Sequence, residues 1–226
     1  MSLANEYEKA RDISFANPEE KMKKKREIFW IVLAIAAIFA SLQFDSAISK
    51  IVSMIRIEQL NNFFLGLTFW SSEIIIFFVL TSFFLWSEKK RKWIAPLWST
   101  LFLSAIVSFL LKISIQRTRP FQQEIVSTLP VLISNSYTTW NFAFPSFQAM
   151  LVFCAIPILS KEFPKFKYAW ILFAVLVAFS RVYFGLHFMS DVIAGGLIGY
   201  LIGMLVVMQE KEYKFGEKIY RRIFRG

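Results

Sequence analysis

Six stretches of this chain are predominantly apolar for fifteen residues or more, and short polar or basic segments separate them: about 28–44, 62–86, 94–112, 146–160, 168–183 and 188–208. As helices rising ~1.5 Å per residue, each is long enough to cross or nearly cross a hydrocarbon layer of ~30 Å, the shorter ones by local thinning or a tilted neighbourhood. The fourth and fifth are the shortest, and Pro157 interrupts the fourth. The pattern predicts an all-α polytopic membrane protein. It has a polar tail at 1–27, a six-span membrane domain at 28–208 and a basic tail at 209–226. Between the first two spans, "DSAISKIVSMIRIEQL" at 45–60 places Ile48, Ile51, Ile55 and Ile57 near helical spacing. That segment reads equally as a helix lying flat at the interface or as an ordinary connecting helix.

Composition agrees with the pattern. The chain is 56% hydrophobic with 26 Phe among 226 residues, more apolar side chain than a soluble domain of this length can hide. The single cysteine, Cys154, lies in an apolar run, so an intrachain disulfide is excluded and helix packing is its expected role. A formal charge of +10 raises the question of nucleic acid, but the basic residues flank apolar runs and lack interleaved aromatics, so nucleic acid is not the expected partner. The polar, mixed-charge tail of 27 residues is unlike a cleavable signal.

Counting Lys and Arg gives seven in the first tail, two in 45–61, four in "EKKRK" at 88–92, three in "KEFPKFK" at 161–167 and six after 208. With both termini, 88–92 and 161–167 in the cytoplasm, the positive-inside rule is met for an integral plasma-membrane protein. Four basic residues then remain near the outer ends of the later spans: Lys112, Arg117, Arg119 and Arg181. They lie at similar depth to the only histidine. Ser146 is fifteen residues from Lys161, about 22 Å along a helix, and Arg181 fourteen from Lys167, about 21 Å. Ionisable groups gathered in the outer half of a bilayer are functional candidates.

Three segments hold them: "KISIQRTRP" at 112–120, "PS" at 145–146 and "SRVYFGLHFMSD" at 180–191. His187 and Asp191 stand four apart on one helix face, so Asp191 can hold one ring nitrogen and leave the other free. Lys112, Arg119 and Arg181 supply positive charge for phosphoryl oxygens, Ser146 a hydroxyl, and the N–H groups after Pro145 the positive end of a helix. Singly, each has a plain structural reading: Lys112 and Arg117 as snorkelling helix-end residues, Ser146 as a cap, His187 and Asp191 as a satisfied polar pair. Their joint order and spacing favour a site.

That order resembles a known family. K-x6-R-P, P-S-x-H and S-R-x5-H-x3-D form the three-part signature of the type 2 phosphatidic acid phosphatases, the PAP2 superfamily. Lys112, Arg119 and Pro120 match the first part, and Ser180, Arg181, His187 and Asp191 match the third in full. The resemblance implies a six-helix membrane bundle with its active site toward the extracytoplasmic face. It implies His187 as the nucleophile forming a phosphohistidine, Asp191 as its polarising partner, and Lys112, Arg119, Ser146 and Arg181 as phosphate ligands. The substrate would be a membrane lipid phosphate or diphosphate, of the phosphatidic acid or undecaprenyl diphosphate kind, with no metal or other cofactor.

The second motif departs from that pattern. Where the family has P-S-G-H, this chain has Pro145-Ser146-Phe147-Gln148. Phe147 takes the place of a small residue beside the phosphate, and Gln148 that of the histidine which protonates the leaving group. Glu124 and Tyr137, in the outer loop 113–145, are the remaining acids there, though no spacing supports either. "NSYTTWNF" at 135–142 is expected to shape specificity. Loss of a general acid predicts a weakened or specialised phosphatase that favours a diphosphate. Two alternatives stay open: a non-catalytic member that binds or moves phospholipid headgroups, and a lipid phosphotransferase.

Overall fold

In a computed structural model, residues 18–133 and 142–224 are described. Every regular element among them is helical. The first helix, α1 (Pro18–Met54), runs through the apolar stretch 28–44 and on to Met54 without a break. The segment at 45–60 is therefore not one separate element. Its first ten residues complete α1, and Glu58 opens α2 (Glu58–Trp70) after a short turn. A polar stripe explains the continuation: Ser41, Asp45 and Ser49 are buried at four-residue spacing, followed by Val52, so this face of α1 packs inward.

The chain divides into two compact units, Met1–Ala36 and Ala37–Gly226. In the first, the described part of α1 exposes Ile28, Phe29, Trp30, Val32, Leu33 and Ile35, the surface of a helix solvated by lipid rather than water. The second unit holds the remaining elements. The apolar run 62–86 is broken into α2 and α3 (Glu73–Leu85), which meet at a bend of 63°. Ser72 in an extended conformation followed by Glu73 makes a helix start there. A 3-10 turn at Glu88–Trp93 carries the "EKKRK" charges into α4 (Ile94–Ile115).

The stretch 146–160 is likewise two helices, α5 (Phe147–Cys154) and α6 (Ile156–Glu162), because Pro157 has no N–H to continue the ladder. They are followed by α7 (Lys167–Tyr183), α8 (Met189–Tyr213) and the short amphipathic α9 (Phe215–Phe224). Helices thus occupy all six apolar stretches, and among the described residues three are by themselves long and apolar enough to cross a membrane: Lys25–Met54, Glu88–Ile115 and Met189–Tyr213. The bent pair α2–α3, taken as one span, makes a fourth. At 17 residues, α7 reaches about 26 Å, short of the ~30 Å of hydrocarbon.

One packing contact fixes the site. In α8, Gly195, Gly199 and Gly203 lie every four residues against the backbone carbonyls of Ser146, Met150 and Cys154. A methyl at any of the three would overlap a carbonyl oxygen, so glycine lets α5 and α8 touch backbone to backbone. Around this pair a core of Leu80, Phe84, Leu97, Val152, Ile158, Leu159 and Trp170 closes, with the Trp170 indole N–H donating to the Val152 carbonyl at 2.8 Å. Cys154 is fully buried there, its thiol 3.1 Å from the Leu151 carbonyl, as its packing role required.

Candidate active site

The five residues Phe142–Ser146 draw the three motifs together through their backbone. The Phe142 carbonyl accepts from Lys112 Nζ at 2.5 Å, and the Ala143 N–H donates to the Arg117 carbonyl at 2.7 Å. The Ala143 carbonyl lies 2.6 Å from His187 Nδ1, and the Ser146 N–H donates to the Asp191 carbonyl at 3.0 Å. Lys112 comes from the last turn of α4, which Gln116 ends in a left-handed conformation (φ 50°). Residues 117–120 then turn back across the mouth of the bundle.

Because a carbonyl can only accept, the 2.6 Å contact puts the ring proton of His187 on Nδ1 and leaves the Nε2 lone pair available. Arg119 Nη1 stands 3.5 Å from that nitrogen while donating to the Leu186 carbonyl at 3.1 Å. The charges of Arg119, Lys112 and Arg181 all act on the ring. Arg181 is buried and donates to neutral oxygens, those of Thr68 and Ser180, the latter at 3.1 Å from both Nε and Nη2. Arg119 thus stands beside an unprotonated nitrogen, with the buried cations Lys112 and Arg181 on α4 and α7, where burying charge is expensive, an arrangement that an anion would stabilise. Ser146 adds a fully buried hydroxyl with no partner among the described residues.

Asp191 lies on the same face as His187 but does not hydrogen-bond its ring. Its Oδ2 is 4.0 Å from His187 Nδ1, and that oxygen instead accepts the Phe188 N–H at 2.8 Å. Three residues into α8, the carboxylate is in position to cap the helix, and the Ala143 carbonyl accepts the ring N–H instead. Its Oδ1 is 2.6 Å from Arg117 Nη1. Arg117, which alone read as a snorkelling residue, is an ion-pair bridge: its other nitrogen, Nη2, holds Asp45 Oδ2 at 2.7 Å.

The second motif opens α5 as the spacing required, with Ser146 at the N-cap and Phe147 and Gln148 as the first two helical residues. Both are half-buried, and Phe147 packs against the apolar core. Glu124 is exposed in the loop after Pro120, with φ 57°. Tyr137 and all of 135–142 except Phe142 lie outside the described residues.

Sequence reasoning missed three contributors: the Ala143 carbonyl, Thr68 and Asp45. The first is backbone and carries no residue-type signal. Asp45 did leave one, an acidic side chain on the inward face of an apolar helix.

Comparison with known proteins matches this arrangement to a family. The model for the PAP2 superfamily matches residues 93–214, more than half of the chain. The chain is 31% identical over 207 residues to phosphatidylglycerophosphatase B of Bacillus subtilis, covering 84% of this chain and 96% of that one. It is 28% identical over 203 residues to an undecaprenyl-diphosphatase of Sulfolobus acidocaldarius, covering 82% and 93%. Among solved structures it is similar to the transmembrane PAP2-type phosphatidylglycerolphosphate phosphatase of Bacillus subtilis. There the TM-score is 0.63 at 26% identity over 82% of this chain and 94% of that one. Aquifex aeolicus LpxE shares the fold, with a TM-score of 0.59 at 24% identity over 73% and 95%. The relatives are membrane lipid phosphatases with the same all-helical architecture, and the chain belongs to the PAP2 superfamily.

Proposed function

We propose that this protein is an integral membrane lipid phosphatase acting through a phosphohistidine on His187, with a lipid diphosphate as its preferred substrate. The observation that carries the reading is the His187 ring itself. Nδ1 is tied to the Ala143 carbonyl at 2.6 Å, and Nε2 is presented beside Arg119 at 3.5 Å. In the first step the Nε2 lone pair attacks the terminal phosphorus. A P–N bond forms as the P–O bond to the leaving group breaks, and that oxygen keeps the electron pair. Lys112, Arg119, Arg181 and the Ser146 hydroxyl hold the phosphoryl oxygens as charge shifts onto them. The positive charge that develops on the ring is met by the Ala143 carbonyl and by Asp191 at 4.0 Å. Water then attacks phosphorus, the P–N bond breaks, and inorganic phosphate and neutral imidazole return.

Gln148 cannot donate a proton to the leaving oxygen, and this favours the diphosphate. A lipid phosphate leaves as an ion whose last pKa is about 6, whereas a lipid alkoxide has an acid near water's ~15.7. The Sulfolobus relative bears the name of a diphosphatase, and the Bacillus relative that of a monoester phosphatase. The six apolar stretches act as six spans in this reading, with both termini cytoplasmic and His187 toward the outer face. Gln148 also motivates a second reading, a protein that binds phospholipid headgroups without turning them over. The deciding experiment incubates purified protein with radiolabelled polyprenyl diphosphate and quenches in alkali. An alkali-stable, acid-labile phosphoprotein absent in His187→Ala supports catalysis; headgroup binding without label or phosphate release establishes the second reading instead.

A further inference from the structure

Arg117 and Asp45 lie outside the family signature, yet they are joined to both sides of the nucleophile. The Arg117 side chain reaches Asp191 Oδ1 at 2.6 Å, Ser190 Oγ at 2.7 Å and Asp45 Oδ2 at 2.7 Å, and its guanidinium lies 4.2 Å over the Phe188 ring. Asp45 in turn accepts the Ser190 N–H at 3.0 Å and the Ser190 hydroxyl at 2.5 Å. A residue of α1 therefore caps the first turn of α8, immediately after His187. On the other side, the Arg117 carbonyl accepts the Ala143 N–H at 2.7 Å, and the Ala143 carbonyl holds His187 Nδ1.

The two arms have one centre. Through its side chain Arg117 fixes the helix start that carries His187. Through its carbonyl it fixes the backbone group that sets the ring's tautomer. With both Nη atoms engaged by carboxylates, this guanidinium differs from the Lys112 ammonium and the Arg181 guanidinium, whose acceptors are a carbonyl and two hydroxyls. We propose that Arg117, held by Asp45, is a positioning residue that sets the orientation and tautomer of His187 and does not bind the substrate phosphate. The kinetic part of this inference rests on the catalytic reading above; the spectroscopic part does not.

His187 is the only histidine in the chain, so protein labelled with ring-15N histidine yields one imidazole spin system. The full-length protein in micelles should show that ring protonated at Nδ1. In Arg117→Gln and Asp45→Asn the ring should become a tautomer mixture in protein that still elutes as a monodisperse, folded species. In turnover assays the same variants should lose about 10²-fold in kcat, the scale of a 1 Å misplacement, with KM moved by no more than about threefold.

Arg117→Lys should recover only part of the loss, since an ammonium lacks the fork that joins two carboxylates. The double variant should lose less than the two single losses combined, because Asp45 acts in part through Arg117 and in part by its own hold on Ser190. Breaking a buried ion pair can unfold a protein; should Arg117→Gln not fold, Arg117→Lys and the near-isosteric Asp45→Asn carry the test. A raised KM with unchanged kcat overturns the proposal, since Arg117 would then touch substrate. An unchanged ring signal in folded variants overturns it too. A wild-type protein without turnover would sink the catalytic reading alone, and the ring signal would still decide the positioning role.

Discussion

Replacing Gln148 by histidine isolates the chemistry that the second motif lacks. Gln148 is the second residue of α5, half-buried, two positions after the Ser146 cap. The carboxylates nearest His187, Asp45 and Asp191, are both engaged by Arg117 and the start of α8, so neither is placed to protonate a leaving oxygen. A positioned general acid is typically worth about 10²–10⁴-fold, or about 2.7–5.4 kcal/mol at 1.36 kcal/mol per factor of ten. That gain should appear where the leaving group needs a proton. For a phosphatidic acid or phosphatidylglycerol phosphate the departing alkoxide needs it fully; for a polyprenyl diphosphate, leaving as a phosphate of pKa about 6, it scarcely does.

The measured quantity must be kcat/KM, which covers steps up to departure of the leaving group. In the proposed mechanism, hydrolysis of the phosphohistidine would be common to every substrate and would mask the difference in kcat. Gln148→His should raise kcat/KM on the monoesters by at least about 10²-fold and on the diphosphate by less than about tenfold. Equal gains on both classes would refute the leaving-group argument. A wild-type protein that already hydrolyses phosphatidic acid as fast as polyprenyl diphosphate would do the same.

Five further perturbations test the site and its frame. Ser146→Ala should leave thermal unfolding unchanged, because Oγ has no partner among the described residues. It should still lower kcat/KM by about 10–100-fold, the value of a hydrogen bond to a charged oxygen at ~1.5–3 kcal/mol; lost stability with intact kinetics would mark it as a plain cap. Arg181→Lys removes the fork from a buried residue proposed to hold the phosphate and should weaken inhibition by inorganic phosphate, read as a raised inhibition constant at constant fold stability. Gly199→Ala puts a methyl into the Met150 carbonyl and should lower stability by about 1–3 kcal/mol despite a helix-propensity gain of ~1 kcal/mol. Gly66→Ala, with nothing within 4 Å, should raise the thermal midpoint instead. Glu210→Ala deletes the acceptor for the Gly216 and Glu217 N–H groups at 2.7 and 3.3 Å, and should raise hydrogen exchange across α9 at a cost of about 1 kcal/mol.

What the sequence disclosed and what it hid follow from how each interaction is encoded. Lys112, Arg119, Arg181 and His187 were legible because charged side chains at an apolar boundary have few other reasons to be there. The count of spans was less so. The break between α2 and α3 is written in Ser71-Ser72-Glu73, a helix-start signal inside a run whose apolar average conceals it, and Pro157 does the same at 146–160.

Asp191 shows a different limit. Four-residue spacing places it on the face of His187, and at 4.0 Å it is on that face. Yet spacing within one helix says nothing of a carbonyl arriving from 44 residues away, and Ala143 supplies the shorter bond. Asp45 and Arg117, 72 residues apart, face the same difficulty. Each has a plausible solitary reading, as a polar end of α1 or a snorkelling arginine, and only their meeting gives either a role. The charge rule had nonetheless marked Arg117 with the other three outer cations. Within that set the acceptors divide the work: Arg117 faces two carboxylates, while Lys112 and Arg181 donate to a carbonyl and two hydroxyls. A phosphoryl group can displace neutral oxygens far more readily than it can separate a buried ion pair, so in the proposed mechanism the cations expected to meet substrate are those whose present partners carry no charge.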